Sequence, residues 1–152
     1  MALDLENTIF SRAAEEYGLD PYLIYSVALA ESASGSGKGD GTISPSPWTL
    51  RSPVKPFYGV TKEDAIKKLE EFQAIYDKSV DVGLMQINIR WNAHRAPSVL
   101  SLLDPEINVL VGAQVLYEAI NSAPNDLELG VGRYNTWKDE IRARNYGRRV
   151  LA

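Results

Sequence analysis

Apolar residues recur along this chain at helical spacing in several blocks, and the block from Asp20 to Ser32 is apolar nearly all round. Asp20 is a suitable N-cap and Pro21 suits the first helical position, where a missing N–H costs nothing, so a helix is predicted to begin here. No charge occurs from Tyr22 to Ala30. A helix without a polar face packs on several sides, which makes this one the predicted buried centre of the fold. Its last turn carries Glu31, one turn beyond Val27 and Ala28 and two beyond Ile24, on the face those residues bury. The negative end of the helix dipole and the loss of hydration both favour a protonated carboxyl there. Such a group can serve as a general acid. A glutamate turned out to solvent at a fraying helix end is the other reading of the same position.

The remaining pattern surrounds this helix. Leu5, Ile9, Ala13 and Tyr17 form a four-residue stripe, predicting an amphipathic helix from Leu5 to Tyr17 that Gly18 ends. Ser32 to Gly41 holds four glycines and three serines and reads as a mobile loop. Thr42 to Gly59 contains four prolines, which forbids a helix and suits a small flap or β-hairpin. Its Trp48 either lines a sugar-binding groove, an aromatic face packing well on a pyranose, or belongs to the core of the flap. Thr61 to Lys78 is a predicted helix capped by Thr61 with Asp64, burying Ala65, Ile66, Leu69, Phe72, Ile75 and Tyr76.

Asp81-Val-Gly-Leu-Met-Gln-Ile-Asn88 is poor helix and poor surface, so it is predicted to run through the interior, where Gln86 and Asn88 need hydrogen-bond partners. Gly83 would allow backbone to approach a ligand or a neighbouring helix. Asp104-Pro105 repeats the cap and first-turn proline, opening a long helix to about Asn121. A short helix from Leu127 to Tyr134 and a last one from Thr136 or Lys138 towards Val150 complete the pattern. Six of the 16 basic residues lie between Arg133 and Arg149, reading as a solvated face or as a patch for an anionic polymer.

Composition narrows the classes. The 152 residues, 45% hydrophobic, suit one domain over 1–152 that needs no covalent staples. No cysteine is present, and a lone histidine, His94, is too few for a cysteine-free zinc site. The net charge of −4 argues against nucleic-acid binding through phosphate neutralisation. No apolar run is long enough for a membrane span, and Asp4 and Glu6 interrupt any signal-peptide core near Met1.

Taken together, Glu31-Ser32, Gly83-Leu84-Met85-Gln86-Ile87-Asn88, Asp104-Pro105 with Asn108 and Gly112-Ala113, Tyr134-Asn135, and Tyr146 resemble the ordered motifs of the soluble lytic transglycosylase (SLT) domain. The resemblance covers about residues 7 to 151. It implies a mainly α, α+β lysozyme-like fold: a helical bundle around a buried central helix, with a small β-hairpin or extended flap. It also implies a peptidoglycan-cleaving enzyme in which Glu31 is the single catalytic acid. Ser32 would support the acid or the sugar, Met85, Gln86, Asn88 and Trp48 would line the groove, and Tyr134, Asn135 and Tyr146 would stand near the acid. Where the family commonly reads Tyr-Asn-Ala-Gly, this chain has Tyr134-Asn135-Thr136-Trp137, without that glycine-rich turn. Ser46-Pro47-Trp48-Thr49-Leu50 and Val80-Asp81-Val82 resemble the branch that accompanies conjugation and type IV secretion machinery.

The family's reaction cuts the β-1,4 bond between N-acetylmuramic acid and N-acetylglucosamine and leaves a 1,6-anhydromuramyl end, with no cofactor and no metal. Ordinary glycosidases need two carboxylates; Asp81 is the only other tempting acid here and reads as structural. A hydrolytic muramidase of the goose-type lysozyme kind and a non-catalytic cell-wall-binding module are the alternatives. The expected partners are peptidoglycan strands and a cell-envelope secretion or conjugation complex, for a monomer without nucleic-acid or membrane-spanning roles. Peptidoglycan lies outside the cytoplasm, so a periplasmic or other extracytoplasmic location is expected, with an export signal or neighbouring domain beyond these residues.

Overall fold

The computed structural model of the protein describes residues 3–34 and 44–152. Among these residues the fold is mainly α, with short antiparallel strands. They form two compact units, Met1–Val27 with Gly112–Ala152, and Ala28–Val111.

In the first unit, α1 spans Ile9–Tyr17, opened by a reciprocal cap between Thr8 and Ser11 and closed by Gly18 in the left-handed conformation. It starts four residues later than the apolar stripe predicts, because Thr8 caps the helix and Leu5 is buried from the non-helical stretch before it. Helix α2 runs Pro21–Ser32. The Asp20 carboxylate accepts from the Tyr22 N–H at 2.9 Å, as its capping role requires. Ile24 and Val27 are fully buried, each worth roughly 1.5–3 kcal/mol of apolar burial. The helix is not covered all round, however. Tyr22 is 47% exposed, its hydroxyl donating to the Leu3 carbonyl, and Ala30 is exposed as well. Tyr22 and Ala30 are the exposed residues of this helix, and the others are buried or partly so.

Helix α5, Pro105–Asn121, has the bounds the cap and proline predict. Its C-terminal part shares the first unit with α6, Leu127–Gly132, and α7, Glu140–Leu151. Helix α7 begins after Trp137 and Lys138 because Asp139 supplies the cap. A methyl on Gly132 would overlap the Ala143 backbone, and one on Gly147 would overlap the Glu128 carbonyl, so α6 and α7 meet backbone to backbone. Two residues of the basic cluster, Arg144 and Arg148, meet carboxylates there. Arg144 grips Asp126 at 2.8 Å and reaches Glu128 and Glu140, while Arg148 also meets Glu128.

The second unit holds the strands. The pair β1 (Ala33–Ser34) and β2 (Ser44–Pro45) is antiparallel. A four-stranded antiparallel sheet runs β4-β3-β5-β6, with β3 Thr49–Arg51, β4 Pro56–Tyr58, β5 Asp81–Val82 and β6 Ile87–Asn88. From Ser44 on, the flap predicted over Thr42 to Gly59 is therefore a β3–β4 hairpin preceded by β2, with residues 42–43 outside the described residues. Of the predicted loop, Ser32 closes α2 and residues 33–34 form β1, while residues 35–41 lie outside the described residues. Helix α3, Lys62–Tyr76, carries the expected Thr61–Asp64 capping box and buries Ala65, Leu69 and Phe72. Ile75 is 70% exposed, contrary to the stripe, since the buried line runs 65, 69, 72 and leaves position 75 to its side. Between β6 and α5 lie α4, Ile89–Asn92, and short 3₁₀ turns at Ala93–Arg95 and Leu100–Leu103, for which the pattern carried no signal.

Candidate active site

In the second unit the carboxylate-bearing end of α2 is fastened by its neighbours. Glu31 is part-exposed, whereas Ala28, one turn earlier, is fully buried. The burial expected of this face therefore ends where the carboxylate begins. Ser32 follows it and is 1% exposed. Its hydroxyl donates to the Ala28 carbonyl at 3.1 Å and accepts from the Ser46 N–H at 3.1 Å. Its carbonyl accepts from the Ser46 N–H and from the Thr49 hydroxyl. Ser32 thus ties the helix end to the flap and has its hydroxyl already engaged.

Thr49, fully buried, relays this attachment. Its carbonyl accepts from the Gly83 N–H at 2.8 Å and from the Gln86 side-chain amide at 2.9 Å. Gly83 and Gln86 bracket the turn between β5 and β6, and both have positive φ, 81° and 52°. Such a backbone is natural for glycine and uncommon for glutamine. The Gln86 amide also donates to the Gly83 carbonyl at 2.9 Å, which helps hold that conformation. Its Oε1 is buried and accepts no hydrogen bond from the described residues. Met85 is fully buried, and its N–H donates to the Asn108 side chain at 2.8 Å. A side chain on Gly83 would overlap the Asn108 amide, so the close approach expected of this glycine is to helix α5.

Asn88 donates to Asp81 at 2.9 Å and caps α4 by accepting from the Trp91 N–H. Burial pushes the Asp81 carboxyl above the ordinary aspartate range, opposed by the Asn88 hydrogen bond and the Arg51 charge. The predicted need for partners is met for the Gln86 amide nitrogen by Thr49 and Gly83 and for Asn88 by Asp81, while the Gln86 Oε1 is left without one among the described residues. Trp48 is partly buried at the turn into β3. Its carbonyl accepts from the Gly59 N–H, and Gly59 has no side chain to hold the hairpin away from it. This unit therefore gathers Glu31, Ser32, Trp48, Met85, Gln86 and Asn88.

The first unit holds the other three candidates. Tyr134 is half-buried and Asn135 exposed in the turn after α6, their N–H groups donating to Val131 and Gly132. Tyr146 is 3% exposed on α7, with the Arg149 guanidinium over its ring. Although Thr136-Trp137 replaces the family's glycine-containing pair, the turn forms, with the Thr136 N–H donating to Gly132. Trp137 stands exposed beneath the Arg133 guanidinium.

Two residues of this arrangement, Thr49 and Asn108, stand in the sequence only as members of motifs, with no role of their own. Asn108 had a legible signal: an amide amid Ile107, Val109 and Val111, where burial demands partners.

A family model described as the transglycosylase SLT domain matches residues 61–148, more than half of the chain. No curated protein and no solved structure matches it. The matched stretch takes in the Gly83–Gln86 turn, Asn108, the Tyr134-Asn135 turn and Tyr146, and begins beyond Glu31 and Ser32. Together with the mainly helical, lysozyme-like fold, this match shows that the chain belongs to the transglycosylase SLT domain family, a family of cell-wall peptidoglycan enzymes.

Proposed function

We propose that the protein is a peptidoglycan lytic transglycosylase with Glu31 as general acid and then base. The observation that carries this reading is the position of Glu31, a part-exposed carboxyl at the end of an otherwise apolar helix, in a chain of the SLT family. Glu31 protonates the glycosidic oxygen between N-acetylmuramic acid and N-acetylglucosamine, and the substrate's N-acetyl group stabilises the developing oxocarbenium ion. The carboxylate then takes the proton from the muramyl C6 hydroxyl as that oxygen bonds to C1. The ring closes, and no water is consumed.

Asp81 does not supply a second catalytic carboxylate in this scheme. Its acceptor oxygen is held by Asn88, and it lies in β5 opposite Arg51 and Asn88. Action on peptidoglycan requires delivery outside the cytoplasm, and a secretion or conjugation assembly of the cell envelope is the partner suggested by the Ser46–Leu50 motif. Among the described residues no helix is long and apolar enough to cross a membrane.

The test is mass spectrometry of muropeptides released from purified peptidoglycan by the wild type and by Glu31→Gln. Wild-type products lighter by one water than hydrolytic ones, with release reduced about a hundred- to ten-thousandfold in the variant, are expected. Reducing-end products would make the protein a muramidase instead, and equal release by the variant would remove Glu31 from the chemistry.

A further inference from the structure

Asn108 makes three hydrogen bonds through one side chain to two separate parts of the second unit. It is 1% exposed, three residues into α5, and all its hydrogen-bonding capacity points away from solvent. Its amide nitrogen donates to the Val82 and Leu102 carbonyls, both at 2.8 Å, and its oxygen accepts from the Met85 N–H at 2.8 Å. One amide thus grips the turn between β5 and β6 on both sides and joins it to the 3₁₀ turn that precedes α5. Only a planar group with two donors and an acceptor makes all three bonds: aspartate lacks the donors, and leucine lacks both.

The turn it grips is one that needs holding, since Gln86 sits at positive φ and Gly83 leaves no room for a side chain beside Asn108. From there the attachments run outward. Gly83 and Gln86 both donate to the Thr49 carbonyl, and the same flap segment holds Ser32 through Ser46. Glu31 is the next residue.

We infer that Asn108 is a positioning residue for the reaction at Glu31: it fixes the Gly83–Gln86 turn, and through Thr49 and Ser46 that turn fixes the end of the helix that carries the acid. The inference rests on the proposed role of Glu31. Asn108 is buried, and in the turn it fixes Met85 is fully buried and Gln86 nearly so, which leaves those side chains little surface for a sugar. The effect of Asn108 is on how accurately the acid is held rather than on sugar binding.

The experiment compares muropeptide release by the wild type, Glu31→Gln, Asn108→Asp, Asn108→Ser and Leu69→Ala, with kcat expressed per folded molecule using near-ultraviolet circular dichroism. Asn108→Asp keeps the shape but sets a carboxylate against two carbonyls, and Asn108→Ser leaves room for a water in place of the amide. Leu69, 1% exposed on α3, is a control for lost core packing in the same unit. Both Asn108 variants are expected to lower kcat on the order of a hundredfold, the scale of a misplaced catalytic group. KM stays within about twofold of wild type, since an interaction realised in the transition state is what is lost. Leu69→Ala lowers the thermal midpoint and leaves kcat per folded molecule unchanged. A kcat near wild type in either Asn108 variant, a loss that Leu69→Ala shares, or failure of both Asn108 variants to fold would overturn the inference and leave Asn108 a purely structural residue. If Glu31→Gln is itself active, the reading of Glu31 has failed; if it is inactive while the Asn108 variants are active, only the role of Asn108 has.

Discussion

The two units of the molecule solve the problem of a tight interior in opposite ways. Among the described residues the buried serines, threonine and amides, Ser32, Thr49, Ser52, Gln86 and Asn108, belong to the unit Ala28–Val111. Its turns and short strands leave backbone groups that no helix or long ladder pairs, so side-chain amides and hydroxyls must reach them. The unit containing α6 and α7 has regular helices that satisfy their own backbone. It gains closeness by deleting side chains at Gly132 and Gly147 and keeps its polar pairing outside, around Arg144. The lesson is that the unit with the irregular backbone is held by directional interactions in its interior, whereas the other joins α6 to α7 by close backbone packing and ion pairs nearer the surface.

This contrast can be broken from either side. The largest effect is expected for Asn108→Leu, which keeps the branching of the side chain but removes the hydrogen bonds to the Met85 N–H and to the Val82 and Leu102 carbonyls. At about 1–3 kcal/mol for each buried unpaired group, with water entry relieving part of it, a loss of about 4 kcal/mol is expected in urea unfolding. An unchanged midpoint would show that the polar grip does not hold that unit. Gly132→Ala comes next. Its added methyl forces α6 from the Ala143 backbone of α7, and overpacking of this kind costs about 3 kcal/mol by the same measurement. Here no polar group is lost, so a small effect would mean that the helices can slide apart without loss.

The smallest effects concern pH and have opposite signs in the two units. The Asp126 carboxyl is held below its ordinary value of 3.8, first by the Arg144 hydrogen bond and then by the Leu129 N–H. Its folded form prefers the charge, so its contribution is present above the ordinary value and is lost as pH falls through the lower folded one. Asp81 is raised above 3.8 by burial, so its folded form prefers the proton. Its contribution is present below 3.8 and is lost as pH rises through the raised folded value. In thermal scans across pH, Asp126→Asn should lower the midpoint at neutral pH and converge with wild type in acid. Asp81→Asn should raise the midpoint slightly at neutral pH and give no gain in acid. Parallel curves for wild type and Asp81→Asn would remove burial as the cause.

Signals confined to a few neighbouring residues were legible in the chain. Asp20-Pro21 and Asp104-Pro105 set the starts of α2 and α5, Thr61 with Asp64 set the start of α3, and the ordered motifs identified the family. The misplaced burials share a cause. Tyr22, Ala30 and Ile75 have the apolarity of core residues yet lie exposed, because apolarity says that a residue can be buried and not that a surface will be there to cover it.

What the sequence determined by itself was therefore the local grammar of caps, periods and breaks, together with the placing of one carboxyl at the end of an apolar helix. The tertiary structure alone decided which face of that helix is covered, that Ser32 is bound to Ser46, and that Asn108 grips a turn more than twenty positions earlier in the chain. A hydrogen bond requires atoms within about 3 Å, with direction as well as distance. Such proximity between distant residues comes into being only once the intervening chain has folded.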